Sequence, residues 1–184
     1  MKRTAILCGL LGLMAGCDND TSLPPYTDTI FLEDFEEVQN GAPLDVAGWT
    51  TFNSEGNTSW HGEVYSGNGY AAIETGNAPV TTWLVSPAIN LGQRQRTLSF
   101  LSAQHHLTPE SSLQVYIATD FAGNPETAGW TPLEALTPHI DSQWYNFIAS
   151  GDISLESYTG VIHIGFKIAI ESQGAYFIDN VKVY

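Results

Sequence analysis

The chain of 184 residues has only 2 cysteines, Cys8 and Cys17, and both fall at its start. Everything after them lacks a thiol for a disulfide, a metal or a nucleophile, so the fold is expected to rest on its core or on a structural metal held by other ligands. Positive charge is also scarce: 6 Lys and Arg stand against 20 Asp and Glu, for a net charge of −14. With so few groups to neutralise phosphates, nucleic acid is not expected as a partner. Beyond the first residues no apolar run approaches the roughly 20 residues of a membrane-spanning helix, and no segment shows an apolar stripe at helical spacing. Catalytic signatures are missing too, with no His-Glu-x-x-His, no Gly-x-Ser-x-Gly and no phosphate-cradling loop. His105 and His106 are adjacent, so on a strand they point to opposite faces and are not expected to share a metal.

What remains is rich in strand and turn formers. Aromatics make up 11% of the chain, and 17 Gly and 9 Pro punctuate it at short intervals. Period-2 runs are read at residues 30–37, 49–52, 70–74, 82–91, 97–104, 112–119, 130–133, 144–149, 161–170 and 175–184. Ten or so short strands without helices predict an all-β fold, a two-sheet antiparallel β-sandwich with a jelly roll as the leading topology. Leu98, Phe100, Val115, Ile117, Ile162, Ile164, Phe166 and Ile168 fit the inward positions, and His163 falls on the outward face.

The first sixteen residues stand apart. Lys2 and Arg3 precede a mostly apolar stretch that ends in Ala15-Gly16-Cys17, the layout of a secretory signal. The run Met14-Ala15-Gly16-Cys17 resembles a bacterial lipobox. It implies a signal peptide over residues 1–16, lipidation of Cys17, a polar tether over 17–28 and a domain over 29–184. An ordinary secretory signal cleaved nearby is the alternative. By this reading the membrane is reached through the N-terminal lipid only.

Acids lie within the hydrophobic patterns of both terminal strands. Simple alternation over residues 175–184 puts Phe177, Asp179, Val181 and Val183 on one face, so a carboxylate sits in an apolar row. An ionised carboxylate buried without a partner costs several kcal/mol, so Asp179 needs water, hydrogen bonds or a cation. Glu33, Asp34 and Glu36 interrupt the first strand in the same way, and the turn over residues 53–59 offers Asn57 as a further oxygen ligand. Trp60, Trp130, Trp144 and Tyr145 lie near turns or strand ends. There, flat rings either stack on sugar faces or anchor a protein partner, or they simply pack the core.

Residues 83–91, Trp83-Leu84-Val85-Ser86-Pro87-Ala88-Ile89-Asn90-Leu91, resemble the W-L-[IV]-[ST]-P-x-[IL]-[DN]-L run of choice-of-anchor J and cleaved-adhesin domains, jelly-roll relatives of the MAM domain. Other features agree in order: Glu33-Asp34-Phe35-Glu36, Trp49, the polar turn before Trp60, and Ile178-Asp179-Asn180-Val181. The resemblance implies a structural calcium tying the first strand to the last, held by Glu36 and Asp179 with Asp34 and Asn57 as further ligands. Loss of Asp179 would then lower stability. The function expected is a non-enzymatic, lipid-anchored module for adhesion or for carbohydrate or protein binding. Its place would be the bacterial cell envelope, at the outer membrane or cell surface, with a glycan or an envelope or extracellular protein as partner. The alternatives are a structural subunit of a surface or secretion assembly, and a polysaccharide-degrading glycosidase or lyase.

Overall fold

The computed structural model describes residues 28–184, so the expected signal peptide, the expected lipidation site Cys17 and the expected tether up to residue 27 lie outside the described residues. Thirteen strands follow in chain order: β1 (Phe31–Glu33), β2 (Thr50–Glu55), β3 (His61–Tyr65), β4 (Asn68–Thr75), β5 (Val80–Val85), β6 (Ile89–Asn90), β7 (Thr97–His105), β8 (Ser112–Ala118), β9 (Thr131–Leu133), β10 (Ile148–Ala149), β11 (Ile153–Ser154), β12 (Val161–Ile170) and β13 (Gly174–Val183). All pairings are antiparallel. One sheet runs β10-β7-β13-β4-β3, with β1 also on β13 and β11 also on β7; the other runs β2-β5-β12-β8-β9, with β6 also on β12. The expected two-sheet jelly-roll sandwich is what the chain forms.

The alternation that predicts the strands also fills the space between the sheets. In β12, Ile162, Ile164, Phe166, Ile168 and Ile170 are buried, while Val161, His163, Lys167 and Ala169 point outward. All eight inward positions expected from the sequence are buried, and His163 is half-buried with Nδ1 2.9 Å from the Ser86 carbonyl. Trp60 joins this core. It is 2% exposed, and its Nε1 donates to Thr82 Oγ1 at 3.1 Å.

Several expected strands are shorter than their hydrophobic pattern. β5 stops at Val85 because Ser86-Pro87 interrupts it, and the run resumes as β6 on the same edge of β12. The first strand stops at Glu33, where Phe35 turns with φ 51°. Glu33 is the acid that accompanies its inward face. Its carboxylate accepts from Phe35 N at 2.9 Å and from Trp49 Nε1 at 3.3 Å.

β13 carries a β-bulge between Asp179 and Lys182, with Asn180 at φ 50°. The extra residue reverses the alternation. Tyr176 and Ile178 face the main core before the bulge and Val181 and Val183 face it afterwards, while Phe177 belongs to a separate cluster on the outer face. The single row expected for Phe177, Asp179, Val181 and Val183 is therefore split. Phe177 and Asp179 point out of the sandwich.

Candidate functional site

β13 is flanked along one edge by β7. Along the other edge β4 pairs with residues 174–178 and β1 with residues 181–183, leaving a gap level with Asp179. Asn68 begins β4 at this gap, and the turn after β1 passes close by: a Cβ on Gly69 would lie 2.3 Å from the Phe35 carbonyl oxygen and 3.2 Å from the Glu36 Cα. The absence of a side chain at Gly69 is what lets the turn come down. It brings Glu36 near enough for its charge to bear on Asp179.

Asp179 is 2% exposed, yet it lines a groove of about 610 Å³ on the outer face of this sheet. The other lining residues are Glu63, Tyr65, Asn68, Tyr70, Leu101, Tyr145, Phe147 and Asn180. The register explains how they meet. Leu101 pairs with Asp179 and Glu63 pairs with Tyr70. Asp179 follows the Ile178–Ala71 pair and so comes level with Tyr70. Leu101, Asp179, Tyr70 and Glu63 thus form one row across four strands, and Asn68 and Tyr65 pair in the next row. On the other side, Ala103, Phe177 and Ala72 form a row of small, large and small side chains. The alanines leave room for aromatic rings to lie on Phe177.

The wall opposite β3 is the segment 144–147. Tyr145 N donates to the Gln104 carbonyl at 2.9 Å and Gln104 Nε2 donates to the Ser142 carbonyl at 2.5 Å, fixing the segment to β7. Tyr145 adopts φ 56°, an uncommon conformation for a non-glycine residue, and its ring stacks on Phe177 at 5.5 Å and 24°. Phe147 meets Tyr70 edge-on at 5.3 Å. Tyr145 and Tyr65 keep 52% and 74% of their surface exposed, so both present rings to a ligand.

The electrostatics of the groove are acidic. Asp179 Oδ2 accepts from Asn68 Nδ2 at 3.1 Å and Oδ1 from Asn180 N at 2.6 Å. Those bonds favour the ionised form, but burial outweighs them, and with the repulsion of Glu36 it holds the carboxyl above the usual range. Burial and the neighbouring Glu63 push the Tyr70 phenol up, and burial with Glu63 and Glu74 does the same to Tyr145. The Lys and Arg side chains of the described residues lie elsewhere. Arg94 is 4.0 Å from Asp28, Arg96 donates to the Leu91 and Asp28 carbonyls, Lys167 sits over Trp83 and Lys182 over Tyr184.

The four aromatic candidates from the sequence separate. Tyr145 lines the groove; Trp144, 49% exposed, stands next to it against His106 at 3.9 Å. Trp60 is core and offers no face to a ligand. Trp130 belongs to the other sheet, stacked on Trp83 at 5.1 Å over Gly165, with Nε1 donating to the Pro125 carbonyl at 2.8 Å. His105 and His106 also correct their expectation. His106 leaves the strand with φ 52°, so the two rings lie 4.2 Å apart and pack together beneath Trp144. Burial and then His106 push the His105 imidazole down.

Of the expected calcium ligands, Glu36 lies near enough for its charge to bear on Asp179. Asp34 Oδ1 accepts from Glu36 N at 3.3 Å. Asn57 lies in the turn after β2, whose Gly56 packs on Pro79 and Val80 at the end of β4 remote from Asn68. Eight residues of strand separate those ends, roughly 23 Å. Asn57 is therefore not part of the same site. Among the described residues no three His, Cys, Asp or Glu side chains converge as metal ligands, so a cation at this pair would draw most of its six to eight oxygens from carbonyls, Asn68 and water. The first and last strands are joined in any case by the β1–β13 ladder, from Phe31–Val183 to Glu33–Val181.

A jelly-roll sandwich with an aromatic, acid-bearing groove across the outer face of one sheet is the class of molecule these features define. No protein-family model matches the chain, and no curated protein does. Solved structures with the same fold include cleaved adhesin domains and carbohydrate-binding modules. The K3 cleaved adhesin domain of Lys-gingipain from Porphyromonas gingivalis W83 is 18% identical, with a TM-score of 0.60 over 85% of this chain and 97% of that one. The CBM22-1 xylan-binding domain of Xyn10C from Paenibacillus barcinonensis is 13% identical, with a TM-score of 0.53 over 85% and 93%. TmCBM61, solved in complex with β-1,4-galactotriose, is 11% identical, with a TM-score of 0.51 over 75% and 88%.

Proposed function

We propose that the protein is a non-catalytic glycan-binding module and that the groove between Tyr65 and Tyr145 is its binding site. The observation that carries this reading is the lining itself: exposed Tyr rings at two walls, Tyr70, Leu101 and Phe147 between them, and Glu63, Asn68 and Asp179 as convergent polar groups. Flat rings cover the C–H faces of a sugar while carboxylates and amides take its hydroxyls. A volume of about 610 Å³ suits a few sugar units. The likeness in fold to carbohydrate-binding modules supports the reading.

A glycan array followed by calorimetry on hits tests it. Tyr145→Ala is expected to weaken binding about tenfold, the effect of losing one stacking ring, with unfolding changed by less than about 1 kcal/mol because the ring is half exposed. An unchanged affinity in that variant would remove the groove from the binding site.

The same reading places the module at the bacterial envelope through a lipid on Cys17. Palmitate labelling that is lost in Cys17→Ala checks the anchor. Calcium belongs to the proposal at the Glu36–Asp179 pair alone, as a weak site with few protein ligands. Thermal unfolding is expected to rise in calcium over chelator by a margin that Glu36→Gln abolishes. Superimposable melts of the wild type would dispose of the ion.

A further inference from the structure

We propose that the glycan this groove takes carries free ammonium groups: an oligomer of N-unsubstituted amino sugars. The inference rests on the glycan reading above and names the chemistry of the ligand. Glu63 and Asp179 stand on the two sides of Tyr70 in one row, two strand spacings or roughly 10 Å apart at the backbone. An ammonium seated over the Tyr70 ring would therefore lie between two carboxylates, on the negative face of an aromatic ring.

Among the described residues nothing supplies that charge. Asp179 is 98% buried with two amide donors and no cationic partner, and every Lys and Arg beyond residue 3 is engaged away from the groove. Glu36 adds a third negative charge at the rim of the gap. Burial first, and then the neighbouring carboxylate of Glu63, raises the phenols of Tyr70 and Tyr145. A uronic or sulfated glycan would be repelled here, and a neutral one would leave Asp179 buried without compensation. A lysine side chain supplies the ammonium but no flat apolar face for Tyr65, Tyr145 and Phe147, which is why a sugar fits the whole lining.

The test is calorimetry of purified full-length protein, in chelator so that calcium does not compete, against β-1,4-linked hexamers of glucosamine, N-acetylglucosamine and glucose, with hexalysine alongside. The glucosamine hexamer is expected to bind at least about tenfold tighter than the other three and to weaken with added salt. Asp179→Asn and Glu63→Gln should each cost the glucosamine hexamer about tenfold or more and so remove most of its advantage over the glucose hexamer. Circular dichroism melts confirm that both variants fold. Equal affinity for the glucose hexamer, or an Asp179→Asn variant that binds the amine form unchanged, overturns the inference and leaves the glycan reading standing. Hexalysine binding as tightly as the glucosamine hexamer overturns the sugar assignment. If no hexamer binds and the array is also blank, the glycan reading itself has failed.

Discussion

Trp60→Ala is expected to lower the unfolding free energy by about 3–5 kcal/mol, read by urea denaturation with an unchanged slope. The indole is one of the largest fully buried side chains and part of the main core, so its removal leaves a void that the close-packed strands cannot fill. It also ends a buried hydrogen bond. Trp60 Nε1 donates to Thr82 Oγ1, whose hydroxyl in turn reaches Asn53 Oδ1 at 2.7 Å. Because Trp60 does not line the groove, the folded fraction of the variant should keep its glycan affinity. A variant with near-normal stability and lost binding would return Trp60 to the ligand side.

In sequence Trp60 reads either as a ligand-facing ring or as a core ring. It follows a polar turn, and composition near a turn suggests exposure, while the strand it introduces carries no period-2 mark. β3, His-Gly-Glu-Val-Tyr, has too few large apolar residues to show a period, and it became visible only as the partner of β4. Its signal was the turn. Ser66-Gly67, at φ 54° and 87°, is a two-residue hairpin connection, and from it the pairing of Tyr65 with Asn68 and Glu63 with Tyr70 follows. Half of the groove was legible there.

The two sheets and their core were legible because β7, β8 and β12 alternate cleanly and need no correction. The face presented by Asp179 was not. A β-bulge is a backbone event with no fixed sequence mark, and one inserted residue turns every later side chain over. Residues 144–149 failed for a related reason. Their aromatics suggest a strand, but Tyr145 takes a positive φ, and only Ile148–Ala149 joins the sheet. The wall of the groove is built from that failure, since a regular strand would have laid the rings flat along β7.

Asp179→Asn is expected to raise the unfolding free energy at pH 7 in chelator, by on the order of 1 kcal/mol, while weakening the ligand. This reverses the sign that a calcium clasp alone implies. In the folded protein burial, first, and the nearby Glu36 raise the carboxyl above its unfolded value, and the amide donors of Asn68 and Asn180 only partly offset them. A raised folded pKa means that the folded state holds the proton more tightly. The stability this confers is fully present below the unfolded value near 4 and is lost as pH rises through the folded value. At neutral pH the charge is therefore a burden. An amide of the same shape still accepts the Asn180 N–H and, with Asn68 turned over, still pairs with it. The advantage of the variant should shrink as pH falls through the folded pKa and vanish near 4. Taking the difference between variant and wild type cancels His105, whose lowered pKa works in the opposite direction. Urea melts of both proteins at several pH values between 4 and 7 read the effect directly, and a variant less stable at pH 7 in chelator would refute it. A bound positive charge would offset the burial of this carboxylate. With a cation on the Glu36–Asp179 pair, or an ammonium between Asp179 and Glu63, the same charge becomes favourable, and the ligand-bound wild type should overtake the variant.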